Sequence, residues 1–396
     1  MMAFRWTRER GLERRGTLGA VVAVTAVAGL VAGVVAIYLA LSGGTNYDLL
    51  ITFGVNAVLV VGLQVLVGNT GIMSFGQMAF VALGAYTAGL LSTPAAIKAS
   101  ELPNLPAILR DHTLPIVPAI VCAGLVAAIA GLLIGPILMR LTGIAAGITT
   151  FAFLVITNDF LRHAKDFTRG NETFFGVPQS ANLPVVFGSL IAVVAIASVI
   201  KWSRLGLQAR SAREDPLAAE TAGIKLVSSR VWPWVGSAFI SGVGGALLAY
   251  QLTAFSPNSF YLTQTIPIVI MVVLGGAYSV TGAVVGATLL TAWQEFVRNV
   301  ENGHIGPIHI PSINGIAELS LGVGLILMLL VRPEGVMGSW EPQLLARRRG
   351  RRTQPPVDPA ADESAETGTD TARAETEADA NADAPPGAPI EEGNRP

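Results

Sequence analysis

GLQARSAREDPLAAETAGIK, residues 206–225, is a charged helical stretch between two apolar runs, near 183–201 and 231–252. Each run is long enough to cross a bilayer, which takes about 20 apolar residues for about 30 Å of hydrocarbon. Asp215-Pro216 has the form of a helix start, because Asp caps free N–H groups and Pro suits the first helical position. Ala218, Ala219, Thr221 and Ala222 then give a small-residue surface, and Gly223 suits the position just past a helix end. Arg210, Arg213, Glu214 and Glu220 hold the segment in water or among headgroups. Two readings fit these residues: a docking helix pressed into a groove of another protein, or an ordinary loop helix lying on the membrane.

Outward from this stretch, nearly everything is built for lipid. Of 396 residues, 52% are hydrophobic and 13% charged, against about 25% charged in an ordinary soluble domain. Candidate spans lie near 18–41, 48–67, 74–93, 115–139, 142–161, 183–201, 231–252, 264–281, 283–298 and 314–331. The expected fold is therefore an all-α polytopic membrane protein of about ten transmembrane helices. Gly275, Gly276, Gly282 and Gly286 fit a tight turn between the eighth and ninth spans, and Gly282 and Gly286 also fit close helix packing. The basic N-terminal run is followed by too long an apolar stretch for a signal peptide, so an uncleaved first span is expected.

Charge sets the expected orientation. Five arginines precede the first span, six basic residues from Lys201 to Arg230 flank the seventh, and six arginines follow the last. All three clusters belong in the cytoplasm, and an even span count puts both termini there. The net charge of −1 conceals a split: residues 1–352 carry 24 basic and 16 acidic residues, an excess of +8, and residues 353–396 carry 2 and 11, an excess of −9. The organisation expected is a basic cytoplasmic N-terminus (1–16), a transmembrane domain (17–338, with the cytoplasmic segment 202–230) and a tail (339–396), first basic, then acidic. The tail lacks aliphatic bulk and is expected to be disordered.

Reactive chemistry is missing. The chain has no GxxxxGK[ST] phosphate loop, no HExxH and no Gly-x-Ser-x-Gly turn. Cys122 is the single cysteine, so no intrachain disulfide or CxxC site can form. His304 and His309 flank Pro307 and are not a helical turn apart, so no metal site is expected. No cofactor, enzymatic activity or nucleic-acid partner is called for. Asp159 and Glu295 sit near span ends and Glu318 one turn into the last, leaving no central charge pair for a proton relay. Asn69, Thr70, Ser74 and Gln77 surround a break between the second and third spans. They are candidates for a substrate path, because polar groups at membrane depth are tolerated where they line a cavity. Helix capping and interhelical hydrogen bonds explain the same residues.

Four segments resemble the permease subunit of bacterial branched-chain amino acid ABC importers, the LivM type. They are GNTGIMSFGQMAF (68–80) running on to Gly84-Ala85-Tyr86, RSAREDPLAAETAGI (210–224), Ser256-Pro257 through MVVLGG (271–276) to Gly282 and Gly286, and Val331-Arg332-Pro333-Glu334-Gly335. They follow the family's order and cover about 45–338. The resemblance implies a permease in the bacterial inner membrane with four kinds of partner: lipid, cytoplasmic ATP-binding subunits, a second permease subunit (the same or different), and an extracytoplasmic solute-binding protein. It also implies that 213–223 is the coupling helix. Asp215 and Gly223 would set its ends, Ala218 and Ala219 would fill the ATPase groove, and Arg213, Glu214 and Glu220 would make rim contacts. The fifth span and the loop FTRGNETFFGVP (167–178) depart from the family's pattern, so the solute implied by the resemblance widens from a branched-chain amino acid to a similar small polar molecule, such as another amino acid, urea or an amide. The rival readings are an ion-gradient-driven secondary transporter and a membrane scaffold.

Overall fold

A computed structural model describes residues 47–301 except Pro103, together with short pieces between His304 and Met337. These all fall in the first of the chain's two units, Met1–Gln343. The expected first span, the basic N-terminus, most of the last span, Arg332–Glu334 and the acidic tail lie outside the described residues.

The described helices are α1 (Tyr47–Thr70), α2 (Gln77–Ser92), α3 (Ala95–Glu101), α4 (Ala107–Asp111), α5 (Ile116–Leu138), α6 (Gly143–His163), α7 (Lys165–Thr168), α8 (Leu183–Trp202), α9 (Arg204–Glu214), α10 (Pro216–Thr221), α11 (Leu226–Leu252), α12 (Leu262–Gly275, entered through a 3-10 turn at Pro257–Phe260) and α13 (Val280–Glu301). Among the described residues seven helices are long and apolar enough to span a membrane; α2 and α3, bent by 114°, would make an eighth if taken as one span. All eight expected spans between 48 and 298 thus find a helix. The regular elements of the described residues are helical but for an isolated antiparallel bridge between Phe174 and Phe255 and a two-residue antiparallel ladder, β1 (His304–Ile305) and β2 (Ile308–His309), where only a loop was expected.

Burial sorts the spans. The apolar window of α1 is 83% buried and that of α11 78%, while α5 and α8 each bury only 33%. A helix apolar on every side belongs inside a bundle, and α1 and α11 are the pair at its centre: they pack on each other, α11 also on α2 and α5, and α1 also on α8 and α13. The contact between α2 and α11 depends on missing side chains. A Cβ at Gly245 would lie 2.0 Å from the Val81 carbonyl oxygen, and one at Gly84 would lie 2.2 Å from that of Gly242. Small residues replace the hydrophobic effect as the means of close packing where lipid and protein are equally apolar. Polar ties complete the centre: Trp234 Nε1 donates to the Gly131 carbonyl at 3.0 Å, and Ser237 Oγ to that of Gly62 at 2.7 Å.

The eighth and ninth spans meet as a hairpin. Gly276 (φ 110°) takes the backbone round after α12, and a Cβ at Gly275 would strike the Gly282 carbonyl at 2.0 Å. The glycines therefore serve both as turn and as packing surface. Gly335–Met337, which starts at the last residue of the fourth family segment, returns to this corner. Val336 N–H donates to Leu274 O at 2.8 Å and Met337 N–H to Gly275 O at 3.2 Å, supplying donors to the open C-terminus of α12.

Candidate functional site

The 204–223 segment is two helices rather than one. Ser203 opens α9 by accepting from Gly206 N–H, and Asp215 ends α9 in an extended conformation while capping α10. Its carboxylate accepts from Leu217 and Ala218 N–H, both at 3.0 Å. Helix α10 closes in a Schellman arrangement. Ile224 N–H reaches back to Ala219 O at 3.0 Å and Gly223 N–H to Glu220 O at 2.9 Å, with Gly223 at φ 83° as the left-handed residue. Asp215 and Gly223 thus mark the two ends of α10, as their chemistry predicts.

The side chains sort less simply. Glu214, Ala218 and Glu220 are exposed, but Ala219 is 4% exposed and faces the protein's own interior. The outermost apolar group is Leu217, 75% exposed. It follows the capping pair, and burial is the signal that sequence alone lacks. Arg213 is no simple rim residue. Its Nη1 donates to the Gly68 carbonyl at 2.6 Å, its guanidinium lies 4.5 Å from the centre of the Tyr278 ring, and it pairs with Glu214. The hydrogen bond from Arg213, and then its charge, hold the Glu214 carboxyl below the usual carboxylate range. Lys201 Nζ donates to Tyr278 O, and Arg210 Nη2 to Lys201 O, both at 2.8 Å. The α9–α10 hairpin is thereby tied to the end of α1 and to the α12–α13 turn.

Asn69, Thr70, Ser74 and Gln77 are all buried. Asn69 and Thr70 donate back to Val65 O and Leu66 O at 2.7 and 2.9 Å. Thr70 and Ser74 hydroxyls accept from Ile72 and Gly76 N–H in the turn after α1. Gln77 joins α2 to Ser237 and Ser241 of α11. These are the capping and interhelical roles given above as the alternative to a substrate path.

A cavity of about 490 Å³ opens at the opposite ends of α1, α11 and α13, and none of those four residues lines it. Its walls hold Asp48, Thr52, Gln251, Thr291, Glu295 and Arg298. Gln251 Nε2 donates to Thr52 Oγ1 at 2.7 Å, and Arg298 pairs with Glu295 at 2.7 Å. Just inward, Asn56 Nδ2 donates to Thr291 Oγ1 at 3.2 Å; further along α1, Gln64 Nε2 donates to Ala277 O at 3.4 Å, and its buried Oε1 has no partner among the described residues. Asp48, Thr52 and Asn56 fall on one face of α1, at steps of four residues. This spacing was present in the sequence as the signal for a polar stripe, and hydropathy concealed it. Among the described residues no cluster of three or more metal-ligating side chains occurs.

Residues 47–332 match the family model for the branched-chain amino acid transport system permease component. The chain is similar to the high-affinity branched-chain amino acid transport system permease protein LivM of Salmonella typhimurium and of Escherichia coli. Each is 26% identical over 321 residues, which is 72% of this chain and 68% of the relative. A shorter likeness, 36% over 95 residues, joins it to the nucleoside ABC transporter permease protein NupC of Lactococcus lactis, covering 20% of this chain and 29% of that protein. No solved structure matches at a comparable level.

Proposed function

The chain belongs to the family of permease components of branched-chain amino acid transport systems, and from that premise we propose that it imports a branched-chain amino acid or a similar small polar solute, driven by ATP hydrolysed on a separate subunit docked at the α9–α10 hairpin. It is a multi-pass inner-membrane permease subunit and not an enzyme. A second permease chain would complete the pore, and an external solute-binding protein would deliver the cargo. In this reading the hairpin and both termini are cytoplasmic.

The observation that carries the docking site is the exposed knob at Leu217 on a helix whose two ends are fixed by Asp215 and Gly223. Leu217 and Ala218 enter the ATPase groove, with Glu214 and Glu220 at the rim. Ala219 supports α10 from beneath, and Arg213 relays its movement to α1 and the α12–α13 turn. Asn69, Thr70, Ser74 and Gln77 hold the break between α1 and α2 beside that relay, where they gate the substrate path and do not touch the solute.

The test is a gentle-detergent pull-down of the tagged chain, with mass spectrometry of what accompanies it. A Walker-motif ATPase and a second permease should be recovered from the wild type, and the ATPase lost with Leu217→Arg. Leu217 is mostly exposed, so this change tests docking and leaves the fold intact. Recovery of the chain alone, active in ion-gradient-driven uptake, would overturn the reading in favour of a secondary transporter.

A further inference from the structure

The cavity at the end of the bundle away from the hairpin carries chemistry that the docking site does not explain. Three buried or half-buried spans end there together: Asp48 opens α1, Gln251 closes α11, and Arg298 lies in the last turn of α13. Each of these helices begins or ends at the hairpin side with its other terminus, so the cavity and the hairpin occupy opposite faces. Its volume of about 490 Å³ lies within the range of about 300–1,000 Å³ typical of small-molecule sites.

The lining has both signs of charge and an apolar wall. Among the described lining residues Arg298 is the one cation, with Asp48 and Glu295 as the two carboxylates of the same wall. Glu295 engages one terminal nitrogen of Arg298, and a guanidinium has donors to spare for a second carboxylate. Leu49, Ile51 and Leu252 supply apolar surface. Thr52 and Gln251, already bonded to one another, form a fixed polar rim.

We infer that this cavity seats a zwitterionic α-amino acid on its way into the pore. Arg298 takes the carboxylate, Asp48 takes the ammonium, and the aliphatic side chain lies on Leu49, Ile51 and Leu252. The polar face of α1 then leads inward from Asp48 and Thr52 to Asn56, which donates to Thr291 of α13. A nucleoside or urea carries no such charge pair and would match neither Asp48 nor the spare donors of Arg298. The inference rests on the importer reading and narrows its substrate class.

The experiment uses the full chain purified with its co-purifying subunits in nanodiscs, and reads binding of L-leucine by saturation-transfer NMR. Leucinol lacks the carboxylate and 4-methylpentanoate lacks the ammonium, so each should compete at least tenfold more weakly than L-leucine. Arg298→Gln and Asp48→Asn should each weaken L-leucine by roughly ten- to a hundredfold, the range for a lost hydrogen bond to a charged group. Arg298 has a side chain 67% exposed, so ATPase recovery should be unchanged in its variant. Leucine binding untouched by both substitutions, equal competition by leucinol, or no leucine binding despite a recovered ATPase would each overturn the site while sparing the importer. Failure to recover any ATPase would sink the importer reading and this inference together.

Discussion

Arg213 holds three groups at once: the carbonyl of Gly68, the face of the Tyr278 ring and the carboxylate of Glu214. It sits at the C-terminal end of α1, where carbonyls lack helical partners and the dipole favours a cation. Replacing it with Ala removes a charged hydrogen bond worth about 1.5–3 kcal/mol. Hydrogen exchange in 204–221 should accelerate by roughly ten- to a hundredfold, and ATP hydrolysis should continue with transport much reduced. Arg213→Lys keeps the charge but loses the planar stack, so it should recover only part of the coupling. Unchanged exchange in the Ala variant would show that the anchor contributes nothing. The charge of Arg213 was legible in the sequence, but its direction was not. A residue at a helix end points outward or inward according to what the remote chain places beneath it, here Gly68 and Tyr278, 145 and 65 positions away.

Helix ends were more legible than helix faces. Asp215-Pro216 and Gly223 bound α10 because their chemistry acts on their own backbone, with no remote partner. Asp215→Ala should therefore loosen α10 by about 1 kcal/mol, visible as faster exchange in 216–221 with little change in the melting temperature of the whole protein. The face of α10 needed the bundle to be read, which is why Ala219 turns inward and Leu217 outward. Glycine shows the same division. Gly245 lies against Val81 with no room for a Cβ, whereas a Cβ at Gly188 meets nothing within 4 Å. Gly245→Ala should lower the melting temperature, since overpacking costs about 1–3 kcal/mol. Gly188→Ala on α8 should not lower it, because Ala is the better helix former by about 1 kcal/mol. Equal effects of the two changes would refute the packing argument. Both glycines read alike in sequence, inside apolar runs.

Across the whole molecule, hydropathy located the spans because burial in lipid and burial in protein select the same residues. It could not rank them: α1 and α8 are both strongly apolar, but one is central and the other peripheral. Nor did it expose the polar face at the start of α1, which three side chains among 24 residues do not reveal in an average. Orientation is checked by cysteine labelling in a Cys122→Ser background. Leu217→Cys should react only with a reagent supplied from the cytoplasm, and Asp48→Cys only with one supplied from outside; the reverse pattern would invert the topology. The return of Gly335–Met337 to the end of α12 has a practical consequence for any shortened form of this protein. Cutting the chain after Met337 leaves both donors to Leu274 and Gly275 in place, whereas a cut before Gly335 strips them away. The usable boundary for removing the tail, or for placing an affinity handle, therefore lies beyond the sulfur of Met337, which also meets the hydroxyl of Thr281 at 3.8 Å.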